Sequence, residues 1–114
     1  MRMVELLDNI TSEDITRLVD QIRAATPATA IILFGSQAKG TATKESDIDV
    51  CVITRETAKR KLIITREIRK SIASTVLLPV DILVYQENEF AERAILPTTL
   101  EFKIEREGIK VYEQ

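Results

Sequence analysis

Residues 34–50 read Phe-Gly-Ser-Gln-Ala-Lys-Gly-Thr-Ala-Thr-Lys-Glu-Ser-Asp-Ile-Asp-Val, and they decide the fold because they join two strand patterns through a polar turn. The apolar run at residues 30–34 predicts a buried strand that ends at the turn. At residues 47–53, apolar residues alternate with two aspartates, which predicts a second strand whose two faces differ. The stretch therefore indicates two strands of a sheet with a polar connection between them.

Asp47 and Asp49 stand two residues apart in this pattern. Residues i and i+2 of a strand project from the same face, so both carboxylates lie on one side with their Cα atoms about 6.5 Å apart. Like charges held so close repel each other, and a bound cation relieves that repulsion. Mg²⁺ suits such a site because proteins commonly hold it with one or two carboxylates plus substrate phosphates. The pair predicts a metal site.

The turn at Gly35 and Ser36 adds a second kind of chemistry beside this pair. Glycine permits a free φ angle and close approach of the backbone to a ligand. The hydroxyl of Ser36 and the backbone N–H groups of a short helix after it suit phosphate oxygens, and the same hydroxyl can act as a helix N-cap. Turn and carboxylates together predict a site for a metal and a nucleoside triphosphate.

The motif Gly35-Ser36-x-x-Lys39-Gly40, followed by Ser46-Asp47-x-Asp49, resembles the signature of the DNA polymerase β nucleotidyltransferase superfamily. The chain is most similar to the short stand-alone members called minimal nucleotidyltransferases, although Lys39 stands where arginine is usual. The resemblance implies an α/β (α+β) fold, with a mixed, twisted sheet that carries the carboxylates and helices packed on one side of it.

The resemblance also implies a third carboxylate on a neighbouring strand, and Asp81 fits that position. The pattern at residues 80–85 puts Asp81 on one face with Leu83 and Tyr85, where a charge costs energy unless it is paired or liganded. The predicted catalytic residues and ligands of two Mg²⁺ ions are Asp47, Asp49 and Asp81. The predicted nucleotide-binding residues are Gly35, Ser36, Lys39 and Ser46. Cys51 is in phase with the aspartates, either lining the site or packing in the core.

Further elements follow from local patterns. A helix is predicted after Thr11 and Asp14, a capping-box pair, and it ends before Pro27. The predicted inward residues of this helix are Ile15, Leu18, Val19 and Ile22. A longer helix is predicted over residues 56–76, with an inward stripe of Ala58, Leu62, Ile68, Ile72 and Val76.

The C-terminal part predicts a strand at residues 80–85 and a short helix near residues 87–94. The capping-box pair Thr98 and Glu101 predicts another helix, which Gly108 ends and which turns Leu100 and Ile104 inward. Residues 109–112 predict an edge strand.

Length and composition limit the class of protein. We expect residues 1–114 to form one domain, since a chain of this size buries about two thirds of its unfolded surface. A net charge of −2 and the absence of histidine argue against general nucleic-acid binding and against histidine chemistry. No secretion signal or membrane span is predicted, and a single cysteine fits a cytoplasmic protein.

The leading hypothesis is an Mg²⁺-dependent transfer of a nucleoside monophosphate, AMP from ATP, to a hydroxyl group. Relatives that act on nucleic acids or antibiotics carry further acceptor-binding domains, and this sequence ends soon after the predicted catalytic unit, so we expect a partner to supply the acceptor. The resemblance implies a helical HEPN-type toxin as partner, with a tyrosine as acceptor and this chain in the antitoxin role.

Two alternatives come from other classes. The chain could be a non-catalytic subunit that neutralises its partner by covering it. It could also be a dimeric enzyme that modifies small molecules such as aminoglycosides. Glycosyltransferases also hold a metal–nucleotide with an Asp-x-Asp pair, but they generally need a much longer chain.

Overall fold

The computed structural model of the protein describes residues 12–35, 38, 47–76 and 79–114, which form four helices and a four-stranded sheet. The helices are α1 (Ser12–Ala25), α2 (Lys61–Ile72), α3 (Glu87–Ala94) and α4 (Leu100–Glu107). The strands are β1 (Ala28–Phe34), β2 (Ile48–Thr54), β3 (Val80–Gln86) and β4 (Ile109–Glu113). The strand order is β3-β2-β1-β4, in which β2 and β3 are parallel and the other neighbours are antiparallel. The predicted mixed sheet in an α/β (α+β) fold is confirmed.

One face of the sheet carries the main hydrophobic core. The two longer helices, α1 and α2, pack on this face, whereas α3 and α4 pack on the other, so the prediction that the helices lie on one side of the sheet holds only for the longer two. The predicted inward residues of α1 are all buried there: Ile15, Leu18, Val19 and Ile22. Every second residue of β2 and β3 points into this core: Ile48, Val50, Val52, Val80, Ile82 and Val84. Local periodicity therefore places these elements correctly.

The residues that the structure describes cover the opposite face of the sheet only in part. The short helices α3 and α4 pack over one end of it through Phe90 and Ile104, which join a smaller cluster with Cys51 and Ile53 of β2. The other end of this face holds the aspartates at the beginning of β2 and β3. A partly open sheet face with charged residues at one end is where the structure places the predicted site.

Helix α2 begins at Lys61, five residues later than predicted. The segment before it forms a local turn in which Thr54 Oγ1 accepts a hydrogen bond from Glu56 N, and Glu56 Oε2 accepts one from Ala58 N. Such side-chain to backbone bonds compete with helix formation. The inward residues of α2 are Ile64, Ile68 and Ile72, so the prediction that Ala58 and Leu62 face inward is wrong. Ala58 lies before the helix, and Leu62 is six residues before Ile68, about 240° around the helix.

Helix α4 also differs from its prediction. Its N-cap is Thr99, whose hydroxyl accepts a hydrogen bond from Phe102 N at 3.1 Å, and not Thr98. Ile104 is buried as predicted, but Leu100 is 48% exposed and Glu101 is buried in its place. Gly108 follows the helix and β4 is an edge strand, both as predicted. The predicted cap at Thr11 lies outside the described residues. None of the helices that the structure describes is long and apolar enough to span a membrane.

Candidate active site

Asp49 and Asp81 face each other across the parallel strands β2 and β3. They are register partners, so their Cα atoms lie about 4.8 Å apart, the spacing of neighbouring strands. The charge of Asp81 acts on Asp49 across this pair. Asp47 directly precedes β2, and its charge also acts on Asp49. The structure therefore brings Asp49 and Asp81 together, with Asp47 directly before β2, although the pairing of β2 with β3 could not be predicted from local patterns.

The electrostatics of this cluster are unfavourable without a cation. Burial raises the pKa of Asp49, and the charges of Asp81 and Asp47 raise it further. No ion pair joins any of the three to a lysine or arginine among the described residues. Because the carboxylates repel each other, each bound positive charge would lower the energy of the site.

Gly35 forms the wall of the site on the side of β1. It has a φ angle of +73°, a left-handed conformation that favours glycine, and a Cβ atom placed on it would collide with Asp49 Oδ2. The preceding residue, Phe34, is the register partner of Asp49 on β1. Phe34, Asp49 and Asp81 therefore form one row across three strands. The other predicted nucleotide-binding residues, Ser36, Lys39 and Ser46, lie outside the described residues.

The donor set fits a hard cation that is completed by ligands from elsewhere. Within the ranges that the structure describes, no group of three or more His, Cys, Asp or Glu side chains is arranged to hold a metal ion by itself. The cross-strand pair of Asp49 and Asp81 supplies two carboxylates. Mg²⁺ is typically bound by one or two carboxylates together with phosphate oxygens and water. The residues present therefore suit a metal that arrives with a phosphate ligand.

Cys51 does not belong to the reactive part of this face. It is fully buried in the cluster with Ile53 and Phe90, and burial, with smaller effects from the charges of Glu101 and Glu105, raises its pKa to about 12. The thiol is therefore protonated at neutral pH and acts as a small packing residue. Of the two roles that the sequence left open for Cys51, the packing role is correct.

A second carboxylate at the far end of the same face was missed by the sequence analysis. Glu101 is 4% exposed, and its Oε1 accepts hydrogen bonds from Tyr85 Oη at 3.0 Å and Arg93 Nε at 2.8 Å. Burial acts to raise the pKa of Glu101, but the bonds from Arg93, the backbone and Tyr85 outweigh it and hold the pKa below its ordinary value. This network links β3, α3 and α4. The only sequence signal was a glutamate at the second position of a helix, which usually indicates a cap.

Comparison with protein families gives one match that covers most of the chain. Residues 15–111 match the family model described as nucleotidyltransferase domain. Domains of this family generally use divalent metal ions, in keeping with the carboxylate pair. The resemblance that the motif indicated is therefore confirmed. A comparison with curated proteins found no match.

Several solved structures share the fold. A chain from the crystal structure of a toxin–antitoxin with AMP-PNP aligns with a TM-score of 0.63 and 22% identity, covering 88% of this chain and 73% of that one. A putative nucleotidyltransferase from Sulfolobus solfataricus aligns with a TM-score of 0.59 and 14% identity, covering 98% and 84%. A chain from the complex of a tri-AMPylated Shewanella oneidensis HEPN toxin with its MNT antitoxin gives 0.58 and 18%, covering 92% and 74%. At these identities the likeness shows the fold.

Proposed function

This chain belongs to the nucleotidyltransferase domain family, and we propose that it transfers AMP from Mg²⁺-ATP to a hydroxyl group of a protein partner. In this reaction the hydroxyl oxygen forms a bond to the α-phosphorus of ATP. The bond from that phosphorus to the bridging oxygen breaks, and pyrophosphate leaves. The partner we propose is a HEPN-type toxin with a tyrosine as acceptor, which gives this chain an antitoxin role.

The observation that carries the proposal is the pairing of Asp49 with Asp81. Asp49 and Asp81 are cross-strand partners on a sheet face that the described residues cover only in part, and together with the charge of Asp47 they form a cluster of negative charge. A purely structural role would favour neutralising partners, as at Glu101, because uncompensated like charges destabilise a fold. An enzyme that binds a cation and phosphates has a reason to retain them.

Asp47, Asp49 and Asp81 would hold divalent ions, two Mg²⁺ by our proposal. Such ions neutralise the phosphate oxygens and favour the ionised form of an attacking hydroxyl. Asp81 is exposed while Asp49 is half-buried, so Asp81 is the better placed of the two to receive an incoming acceptor and help to take its proton. Asp49, against the glycine wall, fixes the position of the pair.

The leaving pyrophosphate would be held at the turn that follows β1. Gly35 leaves room beside Asp49, because a side chain at this position would occupy the space next to the carboxylate. We propose that Ser36, Lys39 and Ser46 contact the phosphates, on the strength of the sequence motif. Positioning and charge stabilisation supply most of the catalysis in phosphoryl transfer, so such contacts suit this reaction.

The solved neighbours support the choice of nucleotide and partner. One is a toxin–antitoxin with AMP-PNP, and another contains a HEPN toxin that carries three AMP groups in complex with an MNT antitoxin. If this chain forms a similar complex with a toxin, the toxin would supply the acceptor hydroxyl. The direct test is to incubate the protein and a lysate of its own cells with α-labelled ATP and Mg²⁺.

The product that becomes labelled distinguishes the candidate functions. A labelled protein whose intact mass rises by one or more adenylate groups supports the proposal, and digestion of that protein with peptide mass spectrometry locates the acceptor. A labelled small molecule would instead favour the dimeric small-molecule enzyme. Absence of any labelled product, together with full neutralisation of the partner by an Asp47→Asn/Asp49→Asn double variant, would favour the non-catalytic binding subunit.

A further inference from the structure

A small apolar cavity lies beside Gly35, between the end of β1 and helix α4. Its volume is about 230 Å³. Phe34 and Gly35 form one wall, and one face of α4 forms the other through Leu100, Lys103, Ile104 and Glu107. These four helix positions follow the spacing i, i+3, i+4 and i+7, so their side chains lie on a single stripe of α4. Whole drug-sized ligands occupy about 300–1,000 Å³, so this cavity suits only part of a larger ligand.

The cavity and the carboxylate cluster share a wall. Gly35 borders the cavity and also touches the space occupied by Asp49 Oδ2. Phe34, on the cavity side, is the register partner of Asp49, so the two residues are direct cross-strand neighbours on the same face of the sheet. The cavity therefore lies directly beside the part of the sheet where we place the phosphates.

The chemistry of the cavity favours an aromatic ring over a phosphate. Its inner surface is formed by Phe34, Leu100 and Ile104, of which Ile104 is 1% exposed and Leu100 is 48% exposed. Two polar side chains also line the cavity, of which Lys103 offers a donor and Glu107 an acceptor. A phosphate would lie against apolar carbon and near the carboxylate of Glu107. A nucleobase would instead find an aromatic neighbour and apolar contacts, with polar groups for its edge.

We propose that this cavity is the site of the nucleobase of the triphosphate substrate. The inference rests on the proposed function, because it takes the position of the phosphates from the carboxylate cluster. It assigns to α4 a role in substrate binding that the sequence motif does not contain. Leu100, which the sequence analysis expected to face the core, would then be exposed because it contacts the substrate.

The test compares two leucines of similar exposure that lie four residues apart. Leu100 lines the cavity, whereas Leu96 is 51% exposed and does not line it. Isothermal titration of wild-type protein, Leu100→Gln and Leu96→Gln with Mg²⁺ and AMP-PNP measures binding of a complete nucleotide. Titration with Mg²⁺ and inorganic tripolyphosphate measures binding of the phosphates alone. Glutamine is neutral, so neither variant changes the charge seen by the phosphates.

We expect Leu100→Gln to weaken AMP-PNP binding by about tenfold, and to leave tripolyphosphate binding unchanged. Leu96→Gln should bind both probes as the wild-type protein does. A second pair of variants tests the ring: Phe34→Leu should weaken AMP-PNP binding several-fold, while Phe102→Leu, on another side of α4, should not. Melting curves of all four variants check that each remains folded.

Three results would overturn the assignment, and they separate it from the proposed function. If the wild-type protein binds tripolyphosphate as tightly as AMP-PNP, it has a phosphate site but no base site. This result refutes the assignment of the cavity as the base site and leaves the proposed function intact. The assignment is also refuted if both Leu100→Gln and Phe34→Leu bind AMP-PNP with unchanged affinity. It is refuted as well if these variants lose affinity for AMP-PNP and tripolyphosphate equally. If neither probe binds the wild-type protein, the proposed function fails and the cavity assignment fails with it.

Discussion

Asp49 of β2 and Glu101 of α4 lie on the same side of the sheet but have opposite environments. Asp49 lies next to Asp81 and Asp47, and its pKa is raised by burial and by these like charges. Glu101 is more deeply buried, yet the hydrogen bonds from Arg93 and Tyr85 offset its burial and lower its pKa. Glu101 is thus compensated by hydrogen-bond donors and a positive charge within the fold. Asp49 is surrounded by further negative charges.

The difference indicates which end of the face is functional. Burial of a charge is tolerated when hydrogen bonds and an opposite charge compensate it, as at Glu101. An uncompensated group of like charges costs stability and is typical of ligand and metal sites. The Asp49 end of the face is therefore the candidate active site, and the Glu101 end holds α3 and α4 to the sheet.

The largest expected effect is on catalysis at the uncompensated end. Asp49→Asn and Asp81→Asn keep the volume of the side chain but remove a charge needed to hold the metal, so each should reduce AMP transfer by at least about a hundredfold. Initial rates with α-labelled ATP and the partner protein measure this. Asp20→Asn, an exposed aspartate on α1, is the matched control and should retain full activity. If Asp81→Asn keeps wild-type activity, the assignment of Asp81 as a ligand is wrong.

The wall beside Asp49 should be the next most sensitive position. Gly35→Ala places a methyl group against Asp49 Oδ2 in a left-handed backbone, and the backbone alone costs about 1–2 kcal/mol. We expect a lower melting temperature and a loss of transfer activity of about tenfold or more, because Asp49 must move. Thermal melts and initial rates check both effects. A variant with unchanged activity would show that the close fit between Gly35 and Asp49 has no catalytic role.

At the compensated end, the expected effect is on stability. Glu101→Ala leaves Tyr85 and Arg93 without their shared acceptor and should lower the free energy of unfolding by about 1–3 kcal/mol. Glu105→Ala removes an exposed glutamate from the same helix and should change it by less than about 0.5 kcal/mol. Urea denaturation of both variants gives the comparison. Equal effects of the two substitutions would contradict a structural role for the Glu101 network.

The features that could be predicted from the sequence are those that depend on local patterns. Helix α1 and the faces of β2 and β3 follow from local periodicity, and the Asp-x-Asp pair follows from the two-residue repeat of a strand. The burial of Glu101 depends on Arg93 and Tyr85, which lie eight and sixteen residues away, so no local pattern contains it.

The same reasoning applies to the two helices that were placed imperfectly. Leucine at positions 62 and 100 indicated inward faces, but Leu62 is 60% exposed and Leu100 is 48% exposed. In α2 a side-chain turn at Thr54 and Glu56 delays the helix, and in α4 the cap moves by one residue to Thr99. The starts of both helices depend on these local hydrogen bonds, which hydrophobicity alone does not reveal.

As the pH falls, the contributions of Asp49 and Glu101 to the free energy of unfolding should change in opposite directions. The raised pKa of Asp49 means that the folded state holds this proton more tightly, so stability rises as pH falls from the raised value toward the ordinary value of 3.8. The pKa of Glu101 is lowered, so its contribution is complete above the ordinary value of 4.5 and is lost as pH falls through the lowered value.

Urea denaturation across this pH range measures the smallest of the expected effects. Asp49→Asn should be more stable than the wild-type protein at pH 7, since it lacks the repelling charge, and this advantage should shrink as Asp49 becomes protonated. The deficit of Glu101→Ala should shrink only at lower pH. A stability difference between Asp49→Asn and wild type that does not vary with pH would contradict the raised pKa.

The central claim is that the Asp49 end of the sheet binds a metal and a nucleotide together. It is tested most directly by the melting temperature of the wild-type protein with AMP-PNP, once with Mg²⁺ and once with a chelator. At a ligand concentration one hundred times the Kd, the complex should be stabilised by about 2.7 kcal/mol. We predict this shift only with Mg²⁺ and its loss in Asp49→Asn. Equal shifts with and without Mg²⁺ would contradict the claim.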